Sequence, residues 1–298
     1  MIFDLQARLA GEQVAPTDAS ASDLVSGMAD ECLAWSAQNG NGARRSYLKG
    51  AATLDLQLPE LALDRASDCL LAGWVRIEVG FTLQTPWYSK DDRPFHVLDN
   101  PVRKDRVFGV PFMSAASWKG LLRWACRMEH GLLDHLAAHD GEIRDWDDPD
   151  WIVHLFGNAR ADGEEFSRGA LHCRPAWFDR VGFEVINPHD RARRAGTQPI
   201  TYEVVPPGTG GVLRLLYAPP PDAAERGQAR THTIETLLDA IEKLLTVYGF
   251  SAKRTAGWGI AKVERCTVSR RDREPIQADM RTVKSRVSEL FTPPEGAG

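Results

Sequence analysis

The clearest alternation of apolar and polar residues lies in WVRIEVGFTL, residues 74–83. Its apolar positions Val75, Ile77, Val79, Phe81 and Leu83 alternate with Arg76, Glu78, Gly80 and Thr82. A period of two residues predicts a strand with one buried face. About 30 residues without such a pattern follow, and loops of that length in a compact domain are usually functional or disordered. This long loop ends at Pro111.

Helical periodicity marks three segments. The clearest is residues 233–250, where apolar residues recur three and four positions apart from Ile234 to Tyr248. A second helix is predicted from about Ser117, as its N-cap, to about Ala138, because serine is favoured at that position. A third is predicted over residues 23–38. The acidic segment 140–150 is predicted to be an exposed surface loop.

Four further strands are predicted, over residues 169–178, 183–188, 211–218 and 259–268. The order of strand, helix, strands, helix and strand predicts an α+β, ferredoxin-like (RRM-like) fold, an antiparallel sheet with two helices on one face. We also predict large loop insertions and a helical N-terminal extension. The expected parts are an extension over 1–70, a ferredoxin-like domain over 71–270 with the long loop at 84–113, and a C-terminal segment over 271–298 with a disordered tail.

Composition narrows the class of protein. The 298 residues carry a formal net charge of −5, whereas proteins that coat themselves in nucleic acid without specificity are usually basic. Local clusters can still bind phosphate, because salt confines charge effects to roughly 10 Å. The five cysteines form no CxxC pair, which disfavours a cysteine zinc site and favours reduced thiols in a cytoplasmic protein. We find no secretory signal and no apolar stretch near the ~20 residues that cross a bilayer, so we expect no membrane partner.

The start of the second predicted helix is the first candidate site. Ser114, Ser117 and the amides of the first turn could bind an anion, and Lys119, Arg123 and Arg127 follow on one face. The preceding loop adds Arg103, Lys104 and Arg106. The alternative is a solvated basic face with no ligand.

Two more clusters lie in loops. His189, Arg191, Arg193 and Arg194 fall in a segment bounded by proline and glycine, which is either a ligand-binding loop or a solvated hairpin tip. Between the last predicted helix and strand, Gly249, Gly257 and Gly259 flank Lys253 and Arg254. Glycine lets a backbone approach a ligand closely, although a tight helix-to-strand turn would also explain this spacing.

These stretches resemble the RAMP superfamily of CRISPR-associated proteins, the ferredoxin-like subunits of type III effector complexes of the Cmr or Csm type. VPFMSAASWKGLLR (110–123) resembles the family's I-P-G-S-S-L-K-G-x-L-R segment. TYEVVPPGTGG (201–211) resembles its segment ending in E-x-V-x-x-G-T-x-F, and AKRTAGWGIAKV (252–263) resembles its C-terminal glycine-rich loop. LFG (155–157) followed by RGAL (168–171) resembles the L-F-G and G-x-L pair between them.

The resemblance implies an RNA-binding subunit of a type III CRISPR interference complex. It implies that the long loop is a thumb-like hairpin inserted into the guide–target duplex, and that the helix start, including Lys119 and Gly120, holds phosphates of the guide (crRNA). It also implies as partners target RNA, other RAMP subunits, a small helical subunit and a large polymerase/cyclase-like subunit. In backbone subunits an aspartate in an I-D-x-P-V-x-x-D loop cuts target RNA, and LDNPVRKD (98–105) aligns Asp99 with it and Asp105 with the second acid.

The chemistry of such a site is simple, because RNA supplies its own 2′-hydroxyl as nucleophile. One carboxylate acting as a base, or as a ligand of Mg²⁺ or another divalent ion, could suffice for an endoribonuclease. Asp99 is equally explained as a turn residue before Asn-Pro. Three alternatives therefore stay open: a non-catalytic capping subunit of the same complex, a guide-processing endoribonuclease with His189 or His96 as base, and a protein-interaction subunit that touches no RNA.

Overall fold

A computed structural model describes residues 48, 51, 70–91, 98–105, 109–158, 167–190, 195–196, 199–219, 227–271 and 273–292. Residues 189–190, 195–196 and 227–230 are described by their backbone only. The predicted helix at 23–38 and the predicted disorder after residue 292 lie outside the described residues. Among the residues described, every helix is too short or too polar to cross a lipid bilayer.

The described part contains eleven strands and five α-helices. The strands are β1 (Val75–Leu83), β2 (Phe112–Met113), β3 (Leu171–Cys173), β4 (Ala176–Trp177), β5 (Gly182–Ile186), β6 (His189–Asp190), β7 (Ala195–Gly196), β8 (Ile200–Val204), β9 (Gly210–Tyr217), β10 (Ala261–Arg270) and β11 (Ile276–Ala278). The helices are α1 (Ala115–Glu129), α2 (Leu132–Ala138), α3 (Asp150–Phe156), α4 (Gly227–Lys243) and α5 (Met280–Arg286). A π-helical turn at Leu244–Tyr248 and two 3₁₀ turns, at Arg254–Ala256 and Val287–Leu290, complete them.

The central sheet has the strand order β11-β10-β1-β9-β3, and every neighbouring pair is antiparallel. Counting β1, β3, β9 and β10 as strands one to four gives the order 4-1-3-2, with α1 and α4 as the two crossing helices. This is the ferredoxin-like arrangement, and the predicted fold class is confirmed. The strand β11 adds an edge strand to the sheet, and the helix α5 packs on β10 and α4; both lie after residue 270, the end of the predicted domain.

One face of the sheet is buried, as the alternation in β1 predicts. All five apolar residues from Val75 to Leu83 are at most 2% exposed. They share a core with α1 residues such as Trp118 and Leu122 and with α4 residues such as Leu237 and Ile241. The two helices therefore cover one face, and the half-buried polar positions of β1 lie on the opposite face.

Several predicted boundaries are wrong for identifiable reasons. The helix expected over 117–138 is two helices, because Gly131 takes a φ of +98° between them. Its N-cap is Ser114, whose side chain accepts a hydrogen bond from the Ser117 amide. The segment 169–178 holds two short strands in different sheets, separated at Pro175, which has no amide to donate to a ladder.

The predicted strand at 183–188 does not join the central sheet. Instead β5 pairs with β8 in a separate hairpin, whose register runs from Gly182 opposite Val204 to Ile186 opposite Ile200. Between β5 and β8 the chain forms a second antiparallel pair, β6 with β7. The cluster around His189 therefore belongs to a projection from the sheet, and Arg191, Arg193 and Arg194 lie outside the described residues.

Candidate nucleic-acid interface

The N-terminus of α1 is capped by two serines. The Ser114 and Ser117 hydroxyls lie 2.8 Å apart, and the Ser117 amide donates to Ser114 Oγ at 3.1 Å. A helix N-terminus carries partial positive charge and attracts anions. One turn along, a Cβ on Gly120 would meet nothing within 4 Å, so packing within the protein does not require glycine there. The helix start thus leaves open space for a ligand at the predicted position.

Lys119 and Arg168 both act electrostatically on His172 of the edge strand β3. Burial, Arg168 and Lys119, in that order, lower the pKa of His172. Arg168 is the first residue of the R-G-A-L motif. That motif has a packing role as well, because a Cβ on Gly157 would lie 2.7 Å from Ser167 O and one on Gly169 would lie 2.4 Å from Phe156 C.

Arg123 does not lie on a free basic face, which corrects that expectation. Its Nε and Nη2 donate to Asp148 Oδ2 at 2.9 and 2.6 Å. Arg127 donates to both oxygens of the same carboxylate, at 2.6 and 2.7 Å. The Asp148 side chain is only 4% exposed, so this part of the acidic segment is bound to α1 rather than solvated. Asp148 occupies the bidentate position that a phosphate would take on these guanidinium groups.

Asp148 should make the protein sensitive to acid. Burial would raise its pKa, but hydrogen bonds from Arg127, Trp146 and Arg123 outweigh burial and lower the pKa from 3.8 to about 2. A lowered pKa stabilises the fold above pH ~4, and the contribution is lost as the pH falls towards 2. We expect Asp148→Ala to lower the free energy of unfolding by about 1.5–3 kcal/mol at pH 7. We expect a much smaller effect at pH 2, measured by urea unfolding.

The matched control for this prediction is Asp147→Ala, because Asp147 is the exposed neighbour in the same segment. It should change the free energy of unfolding by no more than about 0.5 kcal/mol. Equal stability losses for Asp148→Ala at pH 7 and pH 2 would contradict the ion-pair explanation.

The glycine-rich loop between α4 and β10 is folded tightly on itself. Gly249 has a φ of +73° and Gly259 a φ of +85°, values that side-chain-bearing residues rarely adopt. A Cβ on Gly259 would lie 2.4 Å from the Ser251 amide nitrogen, whereas one on Gly257 would meet nothing within 4 Å. Gly249 and Gly259 therefore close the loop, whereas Gly257, whose φ is also positive at +75°, leaves open space beside its Cα.

The two cations of this loop are held over aromatic rings. Lys253 Nζ lies 4.5 Å from the centre of the Tyr202 ring, and Arg254 Cζ lies 4.5 Å from that of Trp124 in α1. Arg254 Nη1 has no hydrogen-bond partner among the described residues although it is shielded from water. Stacking fixes a cation without neutralising its charge. The loop thus presents two positioned cations next to α1, and its aromatic supports were not identified from the sequence.

The base of the long loop is fixed by a buried ion pair. Lys104 Nζ donates to Glu203 Oε2 at 2.6 Å, and the Val102 amide donates to the same oxygen at 3.0 Å. Lys104 is 6% exposed and Glu203 is 0% exposed. The charge of Lys104 is therefore turned inward, towards Glu203, and its place in a thumb loop stays a prediction. Arg103 is exposed beside Phe112, and Arg106 lies outside the described residues.

Asp99 and Asp105 lie at the two ends of this fixed segment. Asp99 is exposed and follows the buried Leu98. After it, the carbonyl of the half-buried Asn100 accepts a hydrogen bond from the Glu203 amide at 3.0 Å. Asp105 closes a turn, in which its amide donates to Val110 O and its carbonyl accepts from the Gly109 amide, both at 2.9 Å. In the described ranges no group of three or more His, Cys, Asp or Glu side chains could hold a metal ion.

Chains in solved structures of CRISPR complexes are similar to this chain. A chain in the cryo-EM structure of the type III-B Cmr-beta bound to cognate target RNA is 14% identical, with a TM-score of 0.54. That match covers 88% of this chain and 81% of the other. A chain of the Csm3–Csm4 subcomplex in the type III-A CRISPR-Cas interference complex is 16% identical over 76% of this chain and 100% of the other, with a TM-score of 0.45.

No curated protein matches the chain in sequence. The RAMP superfamily matches it over residues 80–262, from the middle of β1 to the start of β10. That range contains α1, α4 and the glycine-rich loop, and it covers more than half of the chain. The chain belongs to the RAMP superfamily.

Proposed function

We propose that this chain is an RNA-binding subunit of a type III CRISPR effector complex that holds the guide RNA and contacts target RNA. The observation that carries the proposal is the pair of cations Lys253 and Arg254, each held over an aromatic ring, Tyr202 of β8 and Trp124 of α1 respectively. Fixed cations suit a phosphate chain of defined path. The similarity to a chain of a type III-B complex bound to target RNA supports the same class of ligand.

The proposed partners follow from that role. Other RAMP subunits, a small helical subunit and a large polymerase/cyclase-like subunit would share the complex with the guide and the target. We further propose that the segment around Asp99 contacts target RNA and cleaves it, as in a backbone subunit. The supporting observation is the exposed position of Asp99 next to a segment that Glu203 fixes. A capping subunit would bind RNA through the same cations without cutting it.

Charge reversal tests the RNA-binding proposal. We expect the double variant Lys119→Glu/Arg254→Glu, expressed within its complex, to lose most co-purified RNA. Each lost phosphate contact should lower the slope of log affinity against log salt by about 0.7 for single-stranded RNA, hence about 1.4 for the pair. RNA occupancy is measured by the absorbance ratio and by sequencing the bound RNA, and the slope by filter binding of a labelled guide.

The matched control is Arg144→Glu/Arg281→Glu, which changes the net charge equally at exposed positions outside the candidate interface. It should retain the RNA of the wild-type complex. Unchanged RNA occupancy in Lys119→Glu/Arg254→Glu, with the thermal unfolding midpoint preserved, would refute the proposal.

A further inference from the structure

The Arg254 guanidinium depends on an aromatic ring for its orientation. Arg254 begins the 3₁₀ turn Arg254–Ala256, and its Cζ lies 4.5 Å from the centre of the Trp124 ring. Its Nη1 has no hydrogen-bond partner in the part of the chain that the structure describes. An arginine in a salt bridge is oriented by its acid, whereas a stacked arginine is oriented by the plane of the ring. A contact that fixes the Trp124 ring therefore also fixes the Arg254 guanidinium.

The Trp124 ring is itself held by Tyr248. The two rings make a T-shaped contact, with their centroids 5.0 Å apart and their planes at 78°. Both side chains are half-buried and pack against the main core. Edge-to-face ring pairs add stabilisation beyond the area that they bury, and they favour one relative orientation of the two rings.

Tyr248 is in turn tied to the far end of α1. Its hydroxyl donates to Glu129 Oε1 at 3.0 Å, and the other carboxylate oxygen of Glu129 accepts from Lys243 Nζ. The Glu129 side chain is only 13% exposed, and a hydrogen bond to a charged acceptor is stronger than one between neutral groups. Trp124 and Glu129 both lie on α1. This helix thus holds Tyr248 at two points, the Trp124 ring and the Glu129 carboxylate.

A local irregularity of the backbone lies between Tyr248 and the rest of its helix. The π-helical turn Leu244–Tyr248 follows α4 and packs against α1. Such a turn, with hydrogen bonds from i to i+5, shifts side chains relative to a continued α-helix, and it is frequent at functional sites. Gly249, with a φ of +73°, follows Tyr248 and leads into the loop that carries Arg254. The irregular turn therefore joins the ring that supports Trp124 to the loop that carries the cation.

We propose that Trp124, Tyr248 and Glu129 are positioning residues, which hold the Arg254 guanidinium in the orientation that binds a phosphate of the guide RNA. They act through Arg254 and need no contact with the RNA themselves. A guanidinium that is fixed before binding loses less side-chain entropy when it meets a phosphate, so it contributes more affinity than a free arginine. This inference rests on the proposed function, since it assigns residues that serve the same RNA-binding site.

The test measures filter binding of a labelled guide to the assembled complex. Trp124→Leu keeps an apolar side chain but removes the ring, and it should weaken guide binding by about three- to tenfold. Trp124→Phe restores an aromatic face and should bind within about twofold of wild type. The matched control is Trp151→Leu, because Trp151 of α3 is also half-buried against the same core but is not part of the proposed network. It should lower the thermal unfolding midpoint comparably while guide binding stays within about twofold of wild type.

A double-mutant cycle shows whether the effect passes through Arg254. Arg254→Ala should weaken guide binding at least as much as Trp124→Leu. In the Arg254→Ala background, Trp124→Leu and Tyr248→Leu should each change binding by less than about twofold. In the chain that keeps Arg254, Tyr248→Leu should weaken binding in the same direction as Trp124→Leu, so a folding defect in either variant leaves the other as the test.

Three results would overturn the inference: Trp124→Leu binding the guide as tightly as wild type, an equal loss of binding in Trp151→Leu, or an undiminished effect of Trp124→Leu in the Arg254→Ala background. The third result would mean that Trp124 contacts the RNA itself or acts through packing. Weaker binding by Arg254→Ala alone, with Trp124→Leu and Tyr248→Leu unchanged, refutes only the positioning network. Absence of RNA from the wild-type complex refutes the network and the proposed function together.

Discussion

Replacing Glu203 with alanine should lower the free energy of unfolding by about 3–5 kcal/mol. The substitution removes the carboxylate that lies 2.6 Å from the buried Lys104 ammonium. It also removes the acceptor of the Val102 amide. Removing one member of a buried ion pair is costly because the remaining charge loses its compensation in a region of low dielectric constant. Urea unfolding followed by circular dichroism measures the loss.

Two further variants separate the ion pair from simple packing. Glu203→Gln keeps the size of the side chain and an acceptor for Val102, so it should be less damaging than alanine. The double variant Lys104→Met/Glu203→Leu removes both charges together, and it should recover the part of the stability that the unpaired Lys104 charge costs, while the Val102 amide still lacks its acceptor. A loss below about 1 kcal/mol for Glu203→Ala would contradict the assignment of Glu203 as the anchor of the loop.

Hydrogen exchange of backbone amides measures the local effect of the same variants. The Val102 amide should exchange with solvent faster in Glu203→Ala, because its hydrogen-bond acceptor is gone. Exchange of amides in β1 should respond only through the global loss of stability. A selective change at residues 98–105 would identify Glu203 as a positioning residue for the segment that carries Asp99.

Local patterns in the sequence predict the frame of the fold well. The alternation in residues 74–83 identifies β1 because every apolar position there faces one core. The stripe in 233–250 identifies α4, although the helix changes to a π-helical turn at Leu244. Where a prediction failed, a local cause was often visible, as with Gly131 inside the second helix and Pro175 inside a predicted strand.

The candidate interface could be predicted less completely, because its side chains are partnered by residues distant in the chain. Lys104 and Glu203 are 99 residues apart, and Arg123 and Asp148 are 25 apart. No periodicity relates such positions, so the sequence could not show that the fold pairs each of these cations with an acid. Lys253 and Arg254 were predicted from the glycines around them, but their aromatic supports require knowledge of which strand and helix lie beside the loop.

Asp99→Ala should abolish cleavage of target RNA by the assembled complex, with a fall in rate of at least about 100-fold. Its carboxylate is exposed, while buried Leu98 and the hydrogen bond from the Glu203 amide to Asn100 O hold the backbone on either side. A fixed backbone would place this carboxylate reproducibly as a base for a 2′-hydroxyl. A divalent ion, commonly held by one or two carboxylates together with phosphates, would neutralise charge at the scissile phosphate.

Binding should respond differently from cleavage. Guide and target occupancy of the Asp99→Ala complex should stay within about twofold of wild type, because a carboxylate near phosphates repels RNA rather than attracting it. The measurement is a single-turnover cleavage assay with labelled target, run beside filter binding of the same target. Cleavage should require a divalent ion and produce regularly spaced cuts if several copies of the chain line the guide.

The control is Asp105→Ala, which keeps the backbone turn that Asp105 makes with Gly109 and Val110 and should reduce cleavage much less. Full cutting by the Asp99→Ala complex would refute the catalytic assignment and favour the capping role, in which the same cations bind RNA without cleaving it. Loss of target binding together with cleavage would instead mean that Asp99 shapes the segment as a turn residue before Asn100 and Pro101. Only loss of cleavage with binding retained supports Asp99 as the group that acts on the RNA.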